Sequence, residues 1–357
     1  MNLEAILKAA VRGGASDIIL KPGVPPRFRF QGEIFNLANG DAITSQLLME
    51  WIGLIVPPHL KPRLQNLEDL DFAYLSSFGN RFRVNLFRQK QSYAMVLRVI
   101  NNHIRTMEEL QLPQVIHNFA DEKRGLILVT GATGSGKSTT LASIIEKINQ
   151  NHSQHILTIE DPIEFMFTEK KSTINQREIG IDAASFPSAL RSALRQNPDV
   201  ILVGELRDRE TTETALMAAE TGHLVLSTLH TMDATESITR LLSYFPPHQH
   251  LSLKIMLAQT LKAIVSQRLV QRADGKGMVP AIEILIANAL VRETIEKNDD
   301  MNLLKDAIRN SRNNYGMQSF DKSLLDLFQA GTITREEAIE HATNRKDLEL
   351  AMQGFES

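Results

Sequence analysis

The sequence predicts an α/β protein of two domains, and three observations carry that expectation. Between residues 125 and 286, apolar β-branched runs alternate with helical segments, the pattern of a parallel sheet with flanking helices. One of those runs leads through a glycine-rich loop into a helix, the arrangement that can cradle a phosphate. Residues 1–105 instead hold short strand-like runs with two helical stretches, which reads as a separate α+β domain. A chain of 357 residues has ample material for two buried cores.

The elements follow in order. Leu3 to Val11 and Ser45 to Val56 have helical periodicity. Ser16 to Leu20, Arg27 to Phe30, Leu70 to Leu75, Arg81 to Phe87 and Tyr93 to Ile100 are rich in β-branched and aromatic residues, and Pro22, Pro25, Pro26 and Gly32 punctuate them. Residues 101–124 are polar and mixed, and 106–124 reads as a linker. Strands are predicted at 125–130, 155–160, 199–204 and 224–229. Lys137 to Gln150 places Leu141, Ile144, Ile145 and Ile148 at helical spacing. Leu269–Gln271 and Val279–Ile286 flank Asp274-Gly-Lys-Gly277 as a hairpin. The region 287–357 reads as helical: Phe320, Leu324, Leu327 and Phe328 share a face, Gly331 stops that helix, and Thr334-Arg-Glu-Glu337 is a capping box opening the next.

Composition narrows the class. With 43% hydrophobic and 23% charged residues the chain is ordinary for a soluble globular protein, and its net charge of −3 gives no sign of nucleic-acid binding. There are no cysteines, which excludes disulfides, thiol catalysis and cysteine-ligated zinc and fits a cytoplasmic setting. No apolar run approaches the 18 or so residues of a membrane span, and the N-terminus lacks a signal-peptide core, so neither membrane insertion nor export is expected.

Chemistry concentrates at Gly131-Ala132-Thr133-Gly134-Ser135-Gly136-Lys137-Ser138-Thr139, a full match to G-x-x-x-x-G-K-[ST]. Gly131, Gly134 and Gly136 let the backbone turn its N–H groups onto a polyphosphate. Thr133, Ser135 and Thr139 share that cradle, Lys137 supplies charge for the outer phosphates, and the Ser138 hydroxyl suits Mg²⁺. ATP with Mg²⁺ is the expected pair. Hydrolysis also needs carboxylates near the metal and the attacking water. Ile156-Leu-Thr-Ile-Glu160-Asp161-Pro-Ile-Glu164 and Asp199-Val-Ile-Leu-Val-Gly204-Glu205 end apolar strands in acids, and sites in parallel sheets form at those strand ends. Asp161 and Glu205 join Ser138 as expected metal ligands. The strand 224–229 ends in His230 and is preceded by His223, either of which could meet a γ-phosphate. Arg83 and Arg98 fall opposite each other if a turn centres on Lys90–Gln91, and like charges so placed want an anion between them. Arg191 and Arg195 are spaced i, i+4 on a predicted helix and pose the same demand, which phosphate or local carboxylates could meet.

Together these segments resemble the secretion ATPase superfamily, in particular its PilT/PilU branch of type IV pilus retraction motors. GATGSGKST resembles the Walker A motif, ILTIEDPIEF the Asp box, ALRSALRQNPDVILVGELRD the arginine helix with an atypical Walker B, and TGHLVLSTLHT the His box. The resemblance extends to ASDIILKPGVPPRFRFQGE and RFRVNLF near the N-terminus. It implies a PAS-like N-terminal domain before a RecA-like ATPase domain with a helical tail. It also implies that Glu164 is the catalytic glutamate, Glu205 the Walker B glutamate, His230 the γ-phosphate contact, and Arg83 and Arg98 fingers offered to a neighbouring subunit. Such proteins are homohexamers at the cytoplasmic base of a type IV pilus, partnered by an inner-membrane platform protein and a paralogous retraction ATPase. The segment Ala289-Leu-Val-Arg292-Glu293-Thr-Ile-Glu296 matches the PilT pattern AIRNLIRE poorly, and the stretch after it looks more like PilU. An accessory ATPase acting beside a partner motor, and a DNA-translocating ring, are the competing functions. The modest negative charge argues against the latter.

Overall fold

The computed structural model describes residues 2–30, 32–38, 40–66, 69–100, 103–297, 302–310 and 316–354. Residues 101 and 102, the first of the polar stretch, lie outside that set. The chain divides into two compact units, Met1–His103 with Glu164–Met166, and Ile104–Ile163 with Phe167–Ser357.

In the first unit, β1 (Asp17–Leu20), β2 (Arg27–Phe30), β3 (Glu33–Asn36), β4 (Leu70–Leu75), β5 (Arg81–Gln89) and β6 (Ser92–Val99) form an antiparallel sheet ordered β3-β2-β1-β6-β5-β4. Alternation sets its faces: Phe82, Val84 and Leu86 of β5 are fully buried, while Arg83 between them is exposed. The apolar face packs with the helices Leu3–Gly13 and Ser45–Ile55 through Leu7, Ile18, Leu48, Ile52 and Leu97. Lys90 and Gln91 both have left-handed backbone, at φ 44° and 61°, as a two-residue hairpin turn requires. The turn therefore lies where the sequence places it, and Arg83 is the direct cross-strand partner of Arg98. The unanticipated strand is β3. All four of its residues are exposed, so it has no buried face to leave a pattern.

The second unit is built on β7 (Gly125–Thr130), β8 (His155–Glu160), β9 (Thr173–Glu178), β10 (Val200–Val203), β11 (Leu224–Leu229), β12 (Leu261–Gln271) and β13 (Met278–Ile286), ordered β13-β12-β7-β11-β10-β8-β9. All pairs are parallel except the hairpin β12–β13. Strands buried on both faces read as continuous apolar runs, which is why β7, β8, β10 and β11 stand out in the sequence. β9, TINQRE, is polar and only one of its six residues is fully buried, so it gives no such run. β12 begins eight residues before the predicted Leu269 because the helix His250–Thr260 passes directly into it, with no glycine or proline to mark the change.

Two expectations about connections change. The 106–124 stretch is not a free linker: Met107, Leu112, Ile116 and Phe119 are buried in the cluster that also holds Ile127, Val129 and Ile144. Its polar residues merely outnumber a few apolar anchors. The C-terminal helices likewise belong to the second unit. Val291, Ile295, Leu304 and Ile308 join one face of the large sheet, and Phe320, Leu324 and Ile333 cover Val270, Val279 and Ala281 of the hairpin. Thr334 caps the helix Arg335–Glu340 as predicted, accepting the Glu337 N–H at 3.2 Å. The Glu337 carboxylate instead accepts the Gln271 N–H at 2.6 Å, tying the tail to the end of β12.

Candidate active site

β7 delivers the chain into the loop at Gly131, and the fifteen-residue helix Lys137–Asn151 leaves it. The helix opens on Gly136 at φ 91° with no side-chain cap, so its first N–H groups and the positive end of its dipole face the loop interior. Gly131 has φ 139°, and a Cβ there would lie 2.4 Å from the Gln267 carbonyl oxygen and 2.6 Å from Ser135 Oγ. Only glycine fits. Lys137 is buried, and its ammonium donates to the carbonyl oxygens of Gly131 at 2.9 Å and Ala132 at 3.0 Å. Beneath the loop, Thr130 Oγ1 donates to Ser266 Oγ at 2.9 Å and Gln267 Nε2 donates to Thr140 Oγ1 at 2.8 Å, so β12 braces both ends of the motif. Ser135 Oγ is buried without a hydrogen-bond partner among the described residues, an unspent donor inside the cradle.

Glu205 lies just beyond β10, whose end is stitched to β11 by Ser227 Oγ to Val203 O at 2.7 Å and Thr228 Oγ1 to Gly204 O at 2.7 Å. Its carboxylate is buried. One oxygen pairs with Arg207, and the other, Oε2, accepts no hydrogen bond and lies 3.4 Å from His230 Nε2. His230 follows β11, the strand between β10 and β7. At about 4.8 Å between neighbouring strands, Glu205 is some two strands, roughly 10 Å, from the loop. Loop, histidine and glutamate thus occupy the carboxyl ends of three consecutive strands, an order that the sequence reading did not give.

The Asp box begins within β8 and continues past its end. Glu160 is buried and accepts from Thr158 Oγ1 at 2.7 Å, whereas Asp161 and Glu164 are exposed. Glu164 is grouped with the first compact unit.

Three expected contributors stand elsewhere. His223 precedes β11 at the end opposite the loop: its carbonyl accepts from Gly125 N–H at the start of β7, and its Nδ1 lies 2.9 Å from Ala218 O. A six-residue strand separates it from the loop end by about 20 Å. Arg191 and Arg195 do not share one helical face, because that helix ends at Ala193 and Arg195 lies in the following turn. Arg191 pairs with Glu210, and Arg195 donates back to Arg191 O at 3.2 Å. Arg191 thus has a local carboxylate, and Arg195 a backbone carbonyl of the preceding turn.

Mg²⁺ is a reasonable occupant of the expected Ser138, Asp161 and Glu205 set. Among the described residues no cluster of three or more histidine or acidic side chains could hold a metal alone. Mg²⁺ bound beside a nucleotide uses one or two protein oxygens and takes the rest from phosphate and water. The unsatisfied Glu205 Oε2 and the Ser138 hydroxyl fit that requirement. Arg207 and Gln267 are the members sequence reasoning missed. Arg207 stands two residues after Glu205 within GELRD, and that spacing is its only sequence signal.

Residues 2–316 match the family described as "Type II/IV secretion system protein". The type IV pilus ATPase PilU of Pseudomonas aeruginosa is 40% identical over 358 residues, covering 100% of this chain and 93% of that protein. The type IV pilus retraction ATPase PilT of the same organism is 41% identical over 342 residues, covering 96% and 98% respectively. The crystal structure of the pilus retraction motor PilT with bound ADP superposes with a TM-score of 0.90 at 42% identity, covering 98% of this chain and 99% of that one. With its phosphate loop, its paired strand-end acids and full-length likeness to these proteins, the chain belongs to the type II/IV secretion system protein family.

Proposed function

We propose that this protein is an ATPase that powers type IV pilus retraction as a homohexameric ring at the cytoplasmic base of the pilus. The observation that carries the reading is the prearranged phosphate site: Lys137 held by its own loop, with His230 and Glu205 at the ends of the next two strands, β11 and β10. The loop amides and Lys137 bind and orient the triphosphate, and Ser138 and Glu205, with Asp161 just after β8, would hold Mg²⁺. The metal neutralises charge on the β- and γ-phosphoryl oxygens when bound. Glu164 orients and deprotonates the attacking water, His230 reads the γ-phosphate, and Arg83 and Arg98 meet charge developing on a neighbouring subunit's nucleotide. An inner-membrane platform protein receives the motion. Among the described residues no helix is long and apolar enough to cross a membrane.

Lys137→Ala tests the core of this reading. Removing the ammonium weakens nucleotide binding and abolishes Mg²⁺-dependent turnover, and wild-type phosphate release from the variant would refute the assignment. A second reading, an accessory ATPase that works only beside a paralogous motor, is favoured by the segment Ala289–Glu296. That segment, ALVRETIE, matches the PilT pattern AIRNLIRE poorly. Pilus retraction in cells holding this protein as the sole retraction ATPase separates the two.

A further inference from the structure

The polar face of the N-terminal sheet carries a row of residues in direct register. Arg29 of β2 faces Asp17 of β1, Asp17 faces Arg98 of β6, and Arg98 faces Arg83 of β5. Two guanidinium groups, those of Arg29 and Arg98, therefore flank a single carboxylate, and Arg83 stands one strand beyond Arg98. Asp17 is the buried member, its side chain 11% exposed. Its Oδ1 accepts from Arg98 Nε at 3.1 Å; its Oδ2 accepts from Ser16 Oγ at 2.9 Å and lies 3.5 Å from Arg29 Nε. Arg98 itself is 67% exposed. Arg83 has a weaker tether, Asp71 at 3.9 Å with both side chains about half exposed, a pair of the kind that contributes little.

We infer that Asp17 is a positioning residue for Arg98, gripping the Nε edge of the guanidinium so that its terminal amino groups are presented to phosphate in one orientation. A long exposed arginine loses much rotamer freedom when it must be fixed in a transition state. A buried carboxylate imposes that order in advance. The inference rests on the proposed in-trans role of Arg98. Arg29 is fixed separately by donating to Gly32 O at 2.9 Å, so the carboxylate is held from its other side.

The test is steady-state ATPase of the full-length ring carrying Asp17→Asn, Arg98→Gln or both. Asparagine still accepts a hydrogen bond but lacks the charge. We expect kcat to fall on the order of tenfold to a hundredfold with Asp17→Asn, while KM for ATP moves by less than about twofold. In the Arg98→Gln background the same change has no further effect. An equal fold-loss in both backgrounds would show a general structural role and overturn the inference. A rise in kcat would overturn it too, by showing that the carboxylate restrains the finger. If Arg98→Gln keeps full turnover, the in-trans reading fails and the inference with it; if Arg98→Gln is slow and Asp17→Asn is not, the inference alone fails. Should Asp17→Asn not fold, Asp17→Glu, which keeps the charge and shifts it by one methylene, carries the same cycle.

Discussion

The ammonium of Lys137 lies 2.9 Å from the carbonyl oxygen of Gly131, the first residue of its own loop. A charge six residues along the chain is thereby folded back over the turn that it serves. The loop needs a lysine for its own shape as well as for phosphate, and it needs Gly131 for the same closure. Cradle and cation are one device.

Gly131→Ala should break that device from the other side. The added Cβ meets the Gln267 backbone at 2.4 Å and demands a φ of 139° from an L-residue. We expect a loss of about 2–4 kcal/mol of stability and at least about tenfold weaker binding of a fluorescent ATP analogue. Wild-type affinity in a folded variant would mean that the loop relaxes freely at this position.

Glu164→Gln should bind nucleotide normally and lose about a hundredfold or more in turnover, because an amide cannot accept the water's proton. Glu160 is a useful contrast. It is buried and already accepts from the Thr158 hydroxyl, so Glu160→Gln should act mainly on stability. Single-turnover hydrolysis and a melting curve for each variant separate the roles, and the reverse pattern would move the catalytic carboxylate to Glu160.

Mixing two inactive proteins, Arg83→Ala and Glu164→Gln, addresses whether a site is shared between chains. Some interfaces in a mixed ring pair an intact Glu164 with an intact Arg83 from the neighbour, so partial ATPase activity should return as the ratio is varied. Absence of recovery, with mixed rings confirmed by separate affinity tags, counts against the arrangement.

Glu283 of β13 gives a prediction in pH. Burial pushes its carboxyl up to about 7. Asp233 adds to the rise, while the Ala234 N–H, Arg268 and Lys305 oppose it. The folded state therefore keeps a proton that the unfolded chain releases near pH 4.5. Stability from this group is greatest below about pH 4.5, falls as pH rises toward 7, and is level above it, a change of about 3 kcal/mol. Glu283→Gln can still accept the Ala234 N–H, which Glu283 Oε1 takes at 3.0 Å, without the charge. Its melting temperature should pull ahead of wild type between pH 5 and 7.5. A constant difference across that range would show that Glu283 does not titrate there.

The sequence by itself determined the elements whose signal is local. β7, β8 and β11 are continuous apolar runs because both faces of the parallel sheet are covered, and their limits agree with those read from the chain. The phosphate loop needs glycines at fixed steps, and the hairpin turn at Lys90–Gln91 follows from the runs on either side, so the Arg83–Arg98 opposition was legible as well. Tertiary structure alone decided which charges have partners. Spacing left Arg191 and Arg195 as two repelling neighbours, yet one is neutralised by Glu210 on the next helix and the other lies beyond the helix end. His223 and His230 bracket the same strand, and only the direction of β11 in the sheet sends one away from the loop and the other to Glu205. Asp17, 81 positions from Arg98, left no trace in the sequence. A carboxylate finds its cation through strand register and burial, and neither is a property of any short stretch of chain.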